Sequence, residues 1–292
     1  MRRSRKTGDI RRFIVQNNGL LLETLLVEVQ GYSRNNIKSF LTRRQVLVND
    51  VPVRQFDYKL LKGDEIRITR ESNRLSDRPR LPIIYEDDLI IVVNKPSGLL
   101  TIASEKERKQ TAYRYITEYV RFKNKHARIF IVHRLDQDTS GVLMFAKTKA
   151  AQQALQKEWN KIVTKRGYHA VVEGILSEKS GIVRSYLYKS KTNEMYSGHR
   201  TKHGKYAETH YKVVKEGRNN SLVDVNIKTG RKNQIRVHLK DLGHPIVGDD
   251  KYGNKSQAKR LFLHAYELKL ISPFTNKEVM FTVKTPQNFF DI

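Results

Sequence analysis

Two apolar, β-branched runs, residues 128–132 and 142–146, flank one polar nonapeptide, His133-Arg134-Leu135-Asp136-Gln137-Asp138-Thr139-Ser140-Gly141. Such runs predict strands, so the polar block is the connection between two buried elements. It sets Asp136 beside an arginine and ahead of a hydroxyl-rich turn ending in glycine, and so presents one reactive carboxylate on a rigidly held loop. A plain turn is the competing interpretation. Thr139, Ser140 and Gly141 are ordinary turn formers, and an isolated Asp often does no more than accept bonds from nearby amides.

Elsewhere the pattern divides the chain into four parts: a basic N-terminal arm over 1–18, a small domain over 19–70, a linker over 71–82 and a large domain over 83–292. In the small domain, apolar residues at helical spacing predict a first helix over 20–29, and Ser33 stands as the cap of a second that runs through Leu41. Val46-Leu47-Val48, the turn pair Asn49-Asp50 and Val51-Pro52-Val53 predict a tight hairpin, with Pro52 marking an edge strand. An alternating strand follows over 65–68. The linker is rich in Arg, Ser, Asp and Pro and lacks periodicity. In the large domain, helices are predicted over 111–120, from Lys149 towards Asn160 after a Thr148 cap, and around 234–242. Strands are predicted at 83–85, 89–93, 168–172, 210–214, 222–227 and 279–283. The fold class is therefore α+β, with a mixed, mainly antiparallel sheet in the large domain and a helix-helix-hairpin unit before it.

Lys and Arg number 56 against 30 Asp and Glu, a formal charge of +26 that calls for a polyanionic partner. No apolar run reaches the length of a spanning helix and the cations are not confined to one amphipathic stripe, so nucleic acid is favoured over membrane. Without cysteine, disulfides, thiolate metal sites and thiol nucleophiles are excluded, and nucleophilic chemistry falls to a carboxylate. The basic start, Met1-Arg2-Arg3-Ser4-Arg5-Lys6 with Arg11 and Arg12, contains Asp9 and lacks an apolar face, so it reads as a disordered RNA-touching arm. No secretory apolar segment is present, which makes the cytoplasm the expected location.

The nonapeptide resembles the signature His-Arg-Leu-Asp-x-x-Thr-Ser-Gly of the RluA-type RNA pseudouridine synthases at every fixed position. The stretch Arg166-Gly167-Tyr168-His169-Ala170-Val171-Val172-Glu173-Gly174 and the stretch Thr229-Gly230-Arg231-Lys232-Asn233-Gln234-Ile235-Arg236-Val237-His238 are similar to two further motifs of that family. The resemblance implies that Asp136 is the acid on which catalysis depends, as nucleophile or as base towards the sugar. It also implies that Tyr168 stacks on uracil near the proton to be removed, and that Arg236 pairs with Asp136 and lowers its pKa by about one to three units. Substrate contacts are implied for His133, Arg134, Thr139, Asn233, Gln234 and Leu263, with Arg134 filling the place of an extruded uridine. The family commonly has His at the position of Asn233, which cannot titrate, and Val-His-Pro where this chain has Thr101-Ile102-Ala103. Residues 243–253 match the family as scaffold.

The small domain resembles the ribosomal S-four-type RNA-binding domain, and Arg34, Lys38, Arg43 and Arg44 are its candidate phosphate contacts. The implied activity is isomerisation of uridine to pseudouridine in structured RNA, without cofactor or metal, by a monomer. Large-subunit ribosomal RNA is the first expected substrate and transfer RNA the second. Two rivals are a non-catalytic RNA-binding or ribosome-assembly factor and a metal nuclease built on Asp136, Asp138, Asp249 and Asp250.

Overall fold

The computed structural model describes residues 9–49, 51–69, 80–104, 107, 110–124, 126–190, 192–254 and 257–292, and the chain divides into two units, Met1–Arg78 and Pro79–Ile292. The first runs β1 (Asp9–Ile14), β2 (Gly19–Leu20), α1 (Leu21–Glu28), α2 (Arg34–Thr42), β3 (Val46–Val48), β4 (Val51–Pro52), β5 (Lys59–Leu60) and β6 (Glu65–Thr69). The Ser33 hydroxyl caps α2 by accepting from the Asn36 N–H at 3.3 Å. Four strands lie in the order β1-β6-β3-β4, so Pro52, which has no N–H to give, sits on the outer strand. Leu21 and Leu25 of α1, Ile37 and Leu41 of α2 and Ile66 and Ile68 of β6 form its core.

Residues 9–14 depart from the expected arm. Phe13 pairs with Ile66, and Ile10 and Phe13 pack against that core, so two apolar side chains among the arginines are enough to recruit a sheet edge. The arm residues Met1–Lys6, the linker residues 71–79 and Asp50 of the hairpin turn lie outside the described residues.

The second unit runs β7 (Ile83–Glu86), β8 (Ile90–Lys95), α3 (Ala112–Lys123), β9 (Phe130–Ile131), β10 (Ser140–Ala146), α4 (Lys149–Lys157), α5 (Trp159–Ile162), β11 (Val163–Glu173), β12 (Ser180–Lys189), β13 (Met195–Gly198), β14 (Lys205–Glu216), β15 (Asn220–Ile227), α6 (Gln234–Asp241), β16 (Leu263–Ile271) and β17 (Glu278–Thr282). Nine strands follow the order β13-β12-β14-β15-β11-β16-β10-β8-β7, with β17 on β16 and β9 on β10. The sheet is antiparallel apart from β10 beside β16. Thr111 and Thr148 cap α3 and α4 by accepting from the N–H groups of Arg114 and Ala151, each at 3.1 Å. The helix begun at Lys149 breaks at Glu158 instead of reaching Asn160.

The two faces of this sheet are covered differently. Ile116 and Val120 of α3 and Ile235 and Leu239 of α6 pack with Leu143, Tyr168, Val225 and Leu263 on one side. Ala151 and Leu155 of α4 pack with Val142 and Met144 on the other. Every residue of β10 is consequently buried, as expected for a strand with both faces covered. At its start Gly141 adopts φ +117°, and a Cβ there would collide with the Ala265 carbonyl of β16. Only glycine permits this close parallel approach, which fixes where the polar nonapeptide ends.

Candidate active site

Asp136 lies between β9 and β10 on a loop held from three directions. The Thr101 hydroxyl donates to the Leu135 carbonyl at 2.7 Å and accepts from the Leu135 N–H at 3.2 Å. Lys95, at the end of β8 and fully buried, donates to the Gln137 carbonyl at 2.8 Å and to those of Pro96 and Leu99. Burial lowers its ammonium to a pKa of about 7. From the far side, Arg260 donates to the Ser140 hydroxyl at 2.7 Å. These bonds make the loop rigid while leaving the Asp136 side chain open to a cavity of about 390 Å³, within the range of roughly 300–1,000 Å³ usual for small-molecule sites.

All nine expected catalytic and substrate residues line that cavity: Asp136, Tyr168, Arg236, His133, Arg134, Thr139, Asn233, Gln234 and Leu263. They arrive from the nonapeptide, β11, β16 and the start of α6. Trp159, Arg166, Arg231 and Lys232 join them, so five Lys or Arg side chains surround Asp136, the one acid among the described lining residues.

The expected Asp136–Arg236 pair is not formed directly. Arg236 gives two hydrogen bonds to Asp249, from Nε to Oδ2 at 2.7 Å and from Nη2 to Oδ1 at 2.6 Å, in a buried ion pair. Asp249 Oδ1 also accepts from the N–H groups of Lys251 and Tyr252. Asp136 instead receives the Asn233 N–H at 3.1 Å and feels Arg236, Arg134 and Lys232 through space. Burial outweighs these attractions and raises its carboxyl above the ordinary value, the reverse of the expected direction. The guanidinium that was to lower it is held by another acid.

Asn233 explains its own identity. It adopts φ +54°, a left-handed conformation that Asn tolerates better than most residues, and this turn aims its N–H at Asp136 just before α6 begins. Its side chain donates to the Tyr252 hydroxyl at 3.0 Å.

Three other residues have more structural work than expected. Gln234 is buried, donates to the Glu208 carbonyl and the Thr209 hydroxyl, and accepts from Thr229 and the Arg231 N–H, so it shapes the loop before α6. His133 accepts from the Met144 N–H at 3.1 Å and stacks on Trp159, and burial lowers its pKa to about 3, so it stays neutral. Thr139 is buried, and its N–H closes the turn on the Asp136 carbonyl at 3.3 Å. Burial also pushes the Tyr168 phenol up to about 12, with Asp136 adding and Arg166 opposing. Tyr168 is therefore a neutral ring and hydroxyl at physiological pH.

Lys95 had no assigned role in the sequence, and Asp249 entered only as scaffold and as a ligand of the rival metal nuclease. A lysine ending the apolar run Ile90-Ile91-Val92-Val93-Asn94-Lys95 is the one signal that could have exposed the first; nothing local marks Asp249 as the partner of Arg236.

One cavity gathers Asp136, a neutral Tyr168 and Arg236 from the three motifs, with Arg236 held by Asp249 and not, as expected, by Asp136. The family model described as RNA pseudouridylate synthase matches residues 89–241, which hold the nonapeptide, β11 and all of α6. The chain belongs to the RNA pseudouridylate synthase family. Among its relatives, "Ribosomal large subunit pseudouridine synthase D" of Neisseria meningitidis is 33% identical over 94% of this chain and 78% of its own. "Ribosomal large subunit pseudouridine synthase C" of Haemophilus ducreyi is 32% identical over 88% of this chain and 86% of its own. The solved structure of human "RNA Pseudouridylate Synthase Domain Containing 1" superposes with a TM-score of 0.58 at 26% identity, over 71% of this chain and 84% of that one. Pseudouridylate synthases are isomerases acting on RNA, which accords with the charge of +26. No helix among the described residues is long and apolar enough to cross a membrane.

Proposed function

We propose that this pseudouridine synthase isomerises a uridine of large-subunit ribosomal RNA, acting as a cytoplasmic monomer, and that Asp136 is the carboxylate on which the reaction depends. The observation that carries this reading is the gathering of Asp136, Tyr168 and Arg236 from separate segments around one cavity. The reaction cuts the bond from the uracil nitrogen to the ribose, turns the base, rejoins it through a ring carbon and removes that carbon's proton. Ionised Asp136 acts at the sugar. The Asn233 N–H and the surrounding cations hold its charge, Tyr168 stacks on the freed base with its hydroxyl near the carbon that loses its proton, and Leu263 closes the wall. Arg236, braced by Asp249, supplies fixed positive charge without leaving its place. None of these steps consumes an oxidant or a cofactor.

A uridine stacked in RNA cannot reach this cavity, so extrusion at a cost of roughly a few kcal/mol belongs to the scheme. Arg134 is exposed at the cavity and is the wedge. Arg134→Ala should slow reaction on a folded RNA more than on the same uridine in an unfolded strand, and equal loss on both would remove the wedge role. The first unit is the RNA-anchoring domain, with Arg34 and Lys38 exposed one turn apart on α2 and Arg43 and Arg44 after its end. The names of the Neisseria and Haemophilus relatives support the large-subunit target. Comparing pseudouridines in ribosomal and transfer RNA from cells with and without the gene tests it. A missing site in large-subunit RNA is expected; a missing site only in transfer RNA would transfer the same chemistry to that substrate.

The raised carboxyl has a kinetic consequence. Since only ionised Asp136 acts, the single-turnover rate should fall on the acid side with a midpoint above the ordinary Asp value of 3.8. A limb at or below that value would show that burial does not control this acid in the RNA-bound enzyme.

A further inference from the structure

At one end of the large sheet, β13, β12 and β14 turn their two faces to different surroundings. On one face Leu187 and Ala207 are buried against Val237 of α6. The other carries four tyrosines in two cross-strand pairs, Tyr188 opposite Tyr196 and Tyr186 opposite Tyr206. The rings of the first pair are stacked, 5.6 Å apart at 23°, and those of the second lie 5.8 Å apart at 64°. Tyr188 donates to the His199 carbonyl, and the missing side chain of Gly204 leaves room for its ring. Tyr196 and Tyr206 stand 51% and 39% exposed on top of this arrangement. Cross-strand aromatic pairs stabilise many sheets, yet proteins ordinarily blunt their sheet edges with charge and do not leave aromatic rings open beside them.

The charge around these rings selects the occupant. In the described part of residues 184–208, exposed Arg184, Lys189, Arg200, Lys202 and Lys205 outnumber two acids, Glu194 and Glu208. Glu208 sits on the ring face, where it accepts from the Tyr206 hydroxyl and pairs with Arg184, while Lys189 and Lys205 lie on the Leu187 face, on the way round from the cavity. The same hairpin is tied to the cavity wall. Arg231 donates to the Tyr206 carbonyl at 3.0 Å and Lys232 to the Asn193 carbonyl at 3.3 Å, and both cations line the Asp136 cavity. A polyanion leaving the cavity past Arg231 and Lys232 therefore meets the lysines first and the rings next. Exposed rings rimmed by cations are the combination that holds single-stranded nucleic acid, because each base has a face to stack and each phosphate a charge to neutralise.

We propose that the tyrosine face of β12, β13 and β14 is a stacking platform for a single-stranded RNA segment adjoining the target uridine, reached round the free edge of β13. The proposal rests on reading the Asp136 cavity as the uridine site, and it adds a second contact that only a substrate with an unpaired flank can use. A short helical substrate would leave the platform empty.

The test uses the full chain and a labelled single-stranded oligouridylate. Changing Tyr188 and Tyr196 together to Ala should weaken binding at least about 30-fold, since each lost stack is worth roughly fivefold or more. The slope of log affinity against log salt should not move, because no phosphate contact is removed. Changing the same pair to Phe keeps the rings and should keep the affinity. If the Ala pair fails to fold, judged by its melting transition, the exposed Tyr196→Ala alone is measured and should weaken binding several-fold. Unchanged affinity in a folded Ala variant would overturn the platform, as would equal loss in the Ala and Phe pairs. A parent protein that self-associates through this face, with oligouridylate binding untouched by its removal, would make it an interface between copies instead. Asp136→Asn is run beside these variants. If it keeps full activity, the catalytic reading fails whatever the platform does, so the two failures are distinguishable.

Discussion

Asp136→Asn should lower the single-turnover rate of pseudouridine formation by at least about 10⁴-fold, the scale on which removing a residue central to the chemistry acts, while RNA binding stays equal or becomes tighter. The second half follows from charge. An acid among Arg134, Arg166, Arg231, Lys232 and Arg236 repels phosphate, so its removal cannot weaken an electrostatic hold on RNA. The fold should also survive. Burial raises the Asp136 carboxyl in the folded state, so the folded chain binds that proton more tightly than the unfolded one. The stability this confers is complete below the unfolded pKa and is lost as pH rises through the folded one. At neutral pH the ionised group contributes none of it, and a neutral amide has nothing to take away. Rate, affinity and melting temperature measured on one preparation decide the matter. A parallel fall of rate and affinity would favour an RNA-binding factor over an Asp136-dependent enzyme.

Asp249→Ala should be the most destabilising single change near the cavity, at about 3–5 kcal/mol in the unfolding of the larger unit. Asp249 is almost wholly buried, and its carboxylate accepts two hydrogen bonds from Arg236 and two from the N–H groups of Lys251 and Tyr252. Removing it strands a buried guanidinium, which is far costlier than never having had the pair. Arg236→Met combined with Asp249→Leu should accordingly be less harmful than the two single changes added together. Urea unfolding of the four proteins gives the coupling directly. If the effects add to within about 0.5 kcal/mol, the pair is not the brace described here. The metal-nuclease reading also weakens with this pair, because the Asp249 carboxylate is already committed to Arg236 and two backbone amides.

The local elements were legible because their causes are local. Ser33 and Thr148 cap helices through bonds to the third residue onward, and Pro52 reports an edge because it lacks a donor. Residues 9–14 were not legible, since Ile10 and Phe13 gain their meaning only once β6 lies beside them. The same holds for β16, where no strand was expected and which sits in the middle of the sheet, antiparallel to β11 and parallel to β10.

In the site, the nonapeptide offered Asp136 as a candidate carboxylate against a plain turn, and the resemblance of three motifs made it specific and supplied Tyr168 and Arg236. What the sequence alone determined is thus the inventory: one prominent carboxylate on a strand-flanked loop, no thiol, a large excess of cations and the order of the elements. Only the tertiary structure decided the partnerships. Arg236 belongs to Asp249, the donor to Asp136 is the backbone N–H of a left-handed Asn233, and Lys95 fastens the loop. A hydrogen bond or an ion pair is chosen by distance and by what else is near, and burial sets the cost of each charge. Both depend on chain segments many residues apart, so no local pattern can record them.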